Sequence, residues 1–330
     1  MKAYIKAIDY YLPQQVLGNE DLSLQFPEWG VEKIAKKIGI EKRYITAADE
    51  FASDMAVKAA EKLFKKNNIQ KESIDFLLYC TQSPDYFLPT TACILQHKIG
   101  LPVTAGAFDF NLGCSGYVYG LAIAKGFIAS GIAKNILLIT SETYSKFMHA
   151  SDKSNRTIFG DAAAATLISV DGFAEINDFI LGTDGAGAEN LIVKNGGMRF
   201  AKANEKEEGE AANSGDYLFM DGPAIFNFTM DAVPQLVEQV LHKHGLSIEE
   251  VNHYVFHQAN QFMLNHLRKK IGITEEQFIY HMQDCGNTVS STIPIVLYHM
   301  IEDGYFKNKA KTLLAGFGVG YSWGGTVLTS

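Results

Sequence analysis

Short, nearly unbroken apolar runs recur along the chain, among them IDFLLYC (Ile74 to Cys80) and NILLIT (Asn135 to Thr140), and segments of helical length separate them. Strand-sized runs alternating with helices predict a layered α/β fold. The order of elements then repeats. In the first half, IDFLLYC leads through a loop and helix to strand AFDF, the turn NLGC, a long helix, an SG turn and strand ILLIT. In the second, VNHYVFH leads to helix QFMLNHLRKKIG, strand FIYHM, the turn DCGN, helix TVSSTIPIVLYHMIEDG and strand TLLAGFG. Gly113 and Gly131 stand 18 residues apart, as do Gly286 and Gly304, so each long helix starts beside one glycine and ends at another. This spacing predicts a duplication dividing near Val170, into halves 1–170 and 171–330.

Between Lys194 and Asp216 the chain turns polar, Gly-rich and acidic, the pattern of a surface excursion. Gly222 and Pro223 follow and mark a helix start, since proline's missing N–H costs nothing in a first turn. That helix is expected to run to about His244.

With 330 residues, 47% of them apolar and 20% charged, the chain can bury about three quarters of its unfolded surface, enough for one large core or two fused halves. Its longest apolar stretches, such as GLAIAKGFIASGIA, fall short of the roughly 20 residues a bilayer span needs. The start, MKAYIKAIDYYLP, lacks a signal peptide's apolar block and cleavage site and alternates like a strand, so a cytoplasmic location is expected. A formal charge of -8 argues against a nucleic-acid partner. Cys80, Cys93, Cys114 and Cys285 lie far apart, with no CxxC or HExxH spacing, and read as free thiols with no metal.

Cys114 stands where strand AFDF ends and a helix begins, in NLGCSGYVYGLAIAKGFI. The positive end of a helix favours thiolate over thiol, so this position predicts a lowered pKa and a nucleophile; Gly113 and Gly116 are expected to clear room for a substrate. A buried core cysteine is the competing reading, and the turn position decides against it. His257 ends strand NHYVF, at the strand edge where α/β sheets bind ligands. Asn287 holds the turn that Cys114 holds in the first half. Neutral His and Asn side chains both donate hydrogen bonds, which suits a negative charge developing on a carbonyl oxygen. Papain-like proteases also use Cys, His and Asn, but their local signature is missing. LLAGFGVGYSWGG (Leu313 to Gly325) is expected to be a glycine-dense loop bringing backbone N–H groups to a thioester; it lacks the Lys-Ser/Thr pair of a phosphate-binding loop.

Together NLGCSG, VFHQAN, CGNT and GFGVGYSWGG resemble the β-ketoacyl-acyl-carrier-protein synthase III family, in matching order from about Tyr11 to Trp323. The resemblance implies a thiolase-like fold of two pseudo-symmetric βαβαβ halves in α-β-α-β-α layers. It also implies that Cys114 takes an acyl group from a primer such as an acyl-coenzyme A, while His257 and Asn287 hold a malonyl-acyl-carrier-protein thioester as it loses carbon dioxide. No cofactor beyond these substrates is implied. Backbone N–H groups of Cys114 and Val319 would form an oxyanion hole. Phe317 stands where degradative thiolases carry a second reactive cysteine, which favours decarboxylative condensation. Elongating synthases resemble Cys-His-His instead, and chalcone-synthase-like enzymes are longer.

Further residues follow from the same resemblance. Trp29, Lys37 and Arg156 match coenzyme A contacts, although Lys37 replaces a common Arg and the stretch after Trp29 is longer than usual. Arg268, Lys269 and Lys270 fall where an acyl carrier protein docks, with Phe262 in place of a frequent docking Arg. Phe87 resembles the residue a partner subunit inserts into the acyl pocket, which implies a homodimer. Val319 replaces a glycine of the usual loop. The primer stays open, as do two other roles: an acyltransferase that does not condense, and a silent subunit of a heterodimer.

Overall fold

The structure, a computed structural model, describes residues 1–28, 30–200 and 215–330. Most of the polar excursion predicted between Lys194 and Asp216 therefore lies outside the described residues, as does Trp29. The apolar runs become the nine strands of the main sheet: β1 (Tyr4–Tyr11), β2 (Phe76–Cys80), β3 (Gly106–Phe110), β4 (Asn135–Glu142), β5 (Ala162–Ser169), β6 (Ala174–Thr183), β7 (His253–Phe256), β8 (Lys311–Gly318) and β9 (Ser322–Thr329). Their order across the sheet is β7-β8-β9-β6-β1-β5-β4-β2-β3. At the centre β1 and β6 meet through only two residue pairs, Tyr4 with Glu175 and Ile5 with Ala174. The sheet is thus two sheets hinged on a short antiparallel contact.

Pairing repeats between the halves. β1 pairs antiparallel with β5, β5 antiparallel with β4, and β4 parallel with β2. In the second half β6 pairs antiparallel with β9, β9 antiparallel with β8, and β8 parallel with β7. The major helices repeat too: α1 (Ala52–Asn67), α2 (Thr91–Ile99) and α3 (Gly116–Ala129), then α4 (Gly222–His244), α5 (Gln261–Ile271) and α6 (Thr292–Glu302).

The strand period of two sorts side chains into layers. In β2, Leu77 and Tyr79 face an outer core with Met55 and Leu63 of α1 and Leu95 of α2, whereas Leu78 faces a middle core. That middle core joins Leu121 of α3 and Val296 of α6 to Leu138, Val255 and Leu314, so α3 and α6 lie between the two sheets. Their sequences explain the position, since α3 carries Lys125 as its one charged residue and a helix apolar on all sides is a buried one. On the far side, Val233, Val237 and Val240 of α4 and Leu264 of α5 pack on Leu313, Ala315 and Val327. The layers run α-β-α-β-α.

Caps end the outer helices where the sequence placed them. Asp221 accepts from the Ala224 N–H at the start of α4, with Pro223 in the first turn, and Asn260 accepts from the Met263 N–H at the start of α5.

Three expectations are corrected. FIYHM is not a ladder strand: Phe278 makes an isolated bridge with Tyr254, and the Gln258 side chain then takes the His281 N–H at 2.8 Å and draws the chain off the ladder. The expected loop at Leu313 to Gly325 is the β8–β9 hairpin, paired from Lys311 with Thr329 to Gly318 with Ser322. The second long helix begins at Thr292, after a 3-10 turn over Val289–Ser291.

Candidate active site

The hairpin brings the second half onto Cys114. A Cβ added at Gly318 would lie 2.8 Å from both Cβ and Sγ of Cys114, so only glycine lets β8 run past the sulfur. Cys114 lies just ahead of α3, whose N-cap is Ser115. Backbone N–H groups of Val319 and of Cys114 itself face the sulfur. Val319 is not among the residues with a positive φ, so the change from glycine leaves its donor in place.

The expected low pKa of Cys114 is not what the structure produces. Burial pushes the thiol up to about 12; the N–H groups of Val319 and Cys114 oppose the rise and the nearby Glu142 carboxylate adds to it. Burial thus works against the helix end and favours the thiol form of Cys114. Gly113 and Gly116 make room for protein rather than substrate: side chains there would collide with Gln82 and with the Cys80 sulfur.

His257 follows β7, and its N–H donates to the Ala315 carbonyl at 2.8 Å, which extends the β7–β8 ladder by one residue and fixes the ring at the strand edge. Its Nδ1 lies 2.8 Å from Thr292 Oγ1. Burial lowers its pKa to about 3 against the Val289 carbonyl, so the imidazole is neutral at any physiological pH. Asn287 is held by two backbone bonds to the first half, its N–H to Ile158 and its carbonyl from the Gly160 N–H. Its Oδ1 accepts from the Val289 N–H at 2.9 Å, which turns Nδ2 toward His257 Nε2, 3.4 Å away. Phe317 stands edge-on to the His257 ring at 5.8 Å between centroids.

Cys114, His257, Asn287 and Phe317 line one cavity of about 620 Å³. Its walls come from Ile158, Leu191, Met220, Ile225, Phe226 and Met263, among others. An apolar chamber with a few convergent polar groups is the usual form of a small-molecule site. These wall residues were not found by motif, because they come from segments far apart in sequence. Glu142 was also missed, although a lone acid ending the apolar run NILLITSE was a visible signal. It is fully buried, accepts from the Gln82 N–H and the Ser83 and Ser290 hydroxyls, and burial pushes it up to about 8.

Of the other predicted residues, Phe87, Arg156, Arg268, Lys269 and Lys270 do not line this chamber. Arg156 donates to Gln25 Oε1 and the Ala150 carbonyl. Lys37 falls in the helix Val31–Ile38, and its side chain lies outside what is described. Arg268 bonds to Glu275 and the Ile273 carbonyl of its own chain, and Lys270 to the Met230 carbonyl. Lys269 shares a surface hollow with Lys36, His266 and Phe262, and Phe262 also lines the chamber. Tyr86, Phe87 and Leu88 are 62%, 76% and 83% exposed and do not line the cavity of their own chain. Among the described residues, no group of three or more His, Cys, Asp or Glu is arranged to hold a metal.

Residues 108–185 match the family model for 3-oxoacyl-[acyl-carrier-protein (ACP)] synthase III, and residues 241–330 match that for its C-terminal part. The β-ketoacyl-[acyl-carrier-protein] synthase III of Clostridium tetani is 36% identical over 324 residues, 96% of this chain and 95% of the relative. A crystal structure of a 3-oxoacyl-(acyl-carrier-protein) synthase III superposes with a TM-score of 0.95 at 46% identity, covering 100% of both chains. A 3-oxoacyl-(acyl-carrier protein) synthase from Burkholderia xenovorans gives 0.91 at 37% identity, covering 100% of this chain and 94% of that one.

Proposed function

The chain belongs to the β-ketoacyl-[acyl-carrier-protein] synthase III family, and from that premise we propose that it performs a two-step condensation on Cys114. First, the sulfur attacks the carbonyl of an acyl-coenzyme A, the tetrahedral oxyanion is held by the N–H groups of Cys114 and Val319, and coenzyme A leaves with the thiol proton. Second, a malonyl-acyl-carrier-protein loses carbon dioxide. Its enolate oxygen is held by Asn287 and His257, and its carbanion attacks the acyl-cysteine. The 3-ketoacyl product departs, and the released thiolate takes up a proton.

One observation carries this reading: a buried thiol and two uncharged side chains meet at one apolar cavity whose lining holds no other cysteine. Neutral donors suit an enolate that forms and is then consumed, because they stabilise it without trapping it as a fixed charge would. The reaction needs no resident cofactor. The exposed tip Tyr86–Leu88 supports a homodimer in which Phe87 completes the partner's acyl pocket. Arg156, Trp29 and Lys37 are assigned to coenzyme A, and the hollow around Lys269 to the carrier protein, with Arg268 and Lys270 shaping the helix end that bears it. No helix among the described residues is long and apolar enough to cross a membrane, which is consistent with a cytoplasmic enzyme. The halves 1–170 and 171–330 are read as the two duplicated units.

The test is intact-protein mass spectrometry after incubation with a panel of acyl-coenzyme A donors, followed by addition of malonyl carrier protein. An acyl mass on Cys114, then release of carbon dioxide and a product two carbons longer, is expected. Transfer of the acyl group without change of chain length would replace condensation by simple acyl transfer.

A further inference from the structure

Both substrates of the proposed condensation reach Cys114 through one chamber. Its exposed lining residues, Gly222, Pro223, Asn227 and Phe262, belong to the first turns of α4 and α5, whose Phe226 and Phe262 rings meet at 5.8 Å. Its floor is the buried Cys114, His257, Asn287 and Phe317. The second thioester arm therefore needs the path by which the first has left. An acyl group held on the sulfur has to stand clear of that path, on another side of Cys114.

Backbone closes two of the other sides. Gly318 of β8 passes so close that a Cβ there would lie 2.8 Å from the sulfur, and behind the turn Gly116 of α3 packs on the Cys80 sulfur. What remains is the side of Gly113, where a Cβ would meet Gln82 Oε1 at 2.5 Å and Val319 Cγ1 at 2.7 Å. Neither Gln82 nor Val319 lines the chamber.

Three strands end together on that side. β2 pairs parallel with both β3 and β4, so the residues that follow them, Gln82, Asn111 and Tyr144, gather at the carboxyl ends of one set of strands. The Tyr144 hydroxyl donates to Gln82 Oε1 at 2.5 Å, and Gln82 Nε2 donates to Asn111 Oδ1 at 3.1 Å. The Tyr144 ring is buried and lies 5.3 Å from that of Phe159, a chamber residue, and 5.8 Å from that of Phe147. Past Gln82 the same loop rises to the exposed tip Tyr86–Leu88.

Resting on the condensing reading above, we propose that Tyr144 and Gln82 form the wall that determines primer specificity, and that they restrict the group carried on Cys114 to short acyl chains such as acetyl. A longer chain has to part the bond between them and leave a buried phenol without a partner, a cost that a chain ending before the pair escapes. Aliphatic side chains at the same positions would move aside without that loss. A tyrosine tied at its tip resists.

The experiment compares the rates at which acetyl-, butanoyl- and octanoyl-coenzyme A add their acyl mass to Cys114 of the intact protein. The wild type is expected to take acetyl at least about tenfold faster than octanoyl. Tyr144→Ala and Gln82→Ala are each expected to raise the octanoyl-to-acetyl ratio about tenfold or more. If Tyr144→Ala fails to fold, Gln82→Ala, at a half-buried position, carries the same comparison. General damage to the site lowers both rates and leaves their ratio unchanged. A wild type labelled equally well by octanoyl, or openings at both positions that leave the ratio where it was, overturn the proposal. If no donor of any length left an acyl mass on the wild-type Cys114, acyl transfer itself would fall, and this proposal with it.

Discussion

The turn at Cys114 and the turn at Asn287 occupy equivalent places in the two halves, each ahead of a helix of the middle layer, yet they are built differently. The first runs almost directly into α3, leaving the N–H groups of Cys114 itself and of Val319 around the sulfur. The second passes through Gly286 and Val289, both with positive φ, and a 3-10 turn before α6 begins. Its helix end is not offered to the cavity; side chains are. Equivalent topology thus presents backbone N–H groups on one side and side-chain groups on the other, the division that the proposed condensation uses.

The contrast is broken most completely by removing one side at a time. Cys114→Ala should abolish acyl transfer and condensation, by about 10³-fold or more, with no acyl mass found on the protein. Asn287→Ala should leave that acyl mass in place while product formation falls by about 10²-fold. If Asn287→Ala blocked acylation as severely as Cys114→Ala, the division of labour between the turns would be wrong.

A smaller effect is expected where the halves touch. Gly318→Ala forces a methyl group to within 2.8 Å of Cys114, so β8 or the nucleophile must shift. Acylation should fall about tenfold or more, since small misplacements of reacting atoms are costly. Melting temperature should fall as well, because the same contact closes the middle layer. Equal acylation rates in variant and wild type would show that the contact does not set the sulfur's position.

The smallest effect concerns Glu142, which accepts from Gln82 and Ser83 in the first half and Ser290 in the second. Its folded pKa is raised from 4.5 to about 8 by burial, so the folded protein holds this proton more tightly than the unfolded chain does. Its contribution to stability is full below about pH 4.5 and is lost as the pH rises through about 8. Glu142→Gln removes that dependence. Measured against wild type, its melting temperature should improve between pH 5 and pH 8.5, and a constant difference across that range would contradict the assignment.

How much of this was legible follows from the range of each interaction. Cys114, His257 and Asn287 sit at strand ends and turns, where local sequence sets the backbone, and all three meet in the cavity as their placement implied. FIYHM has a strand's pattern, but a side-chain bond from Gln258 interrupts it, and propensity does not report such a competitor. The direction of the Cys114 pKa shift differs from the expectation for a related reason. A helix end is visible in sequence, whereas burial is not, and burial dominates the thiol's pKa.

By itself the sequence determined the alternation of strands and helices, their repetition, and which residue types stand at the turns, because these depend on periodicity and on neighbours a few positions away. Only the tertiary structure decided that burial favours the thiol at Cys114, that Thr292 stands behind His257, and that Glu142 joins the halves. Each of these depends on desolvation or on a hydrogen bond between segments that meet only when the two sheets close on α3 and α6.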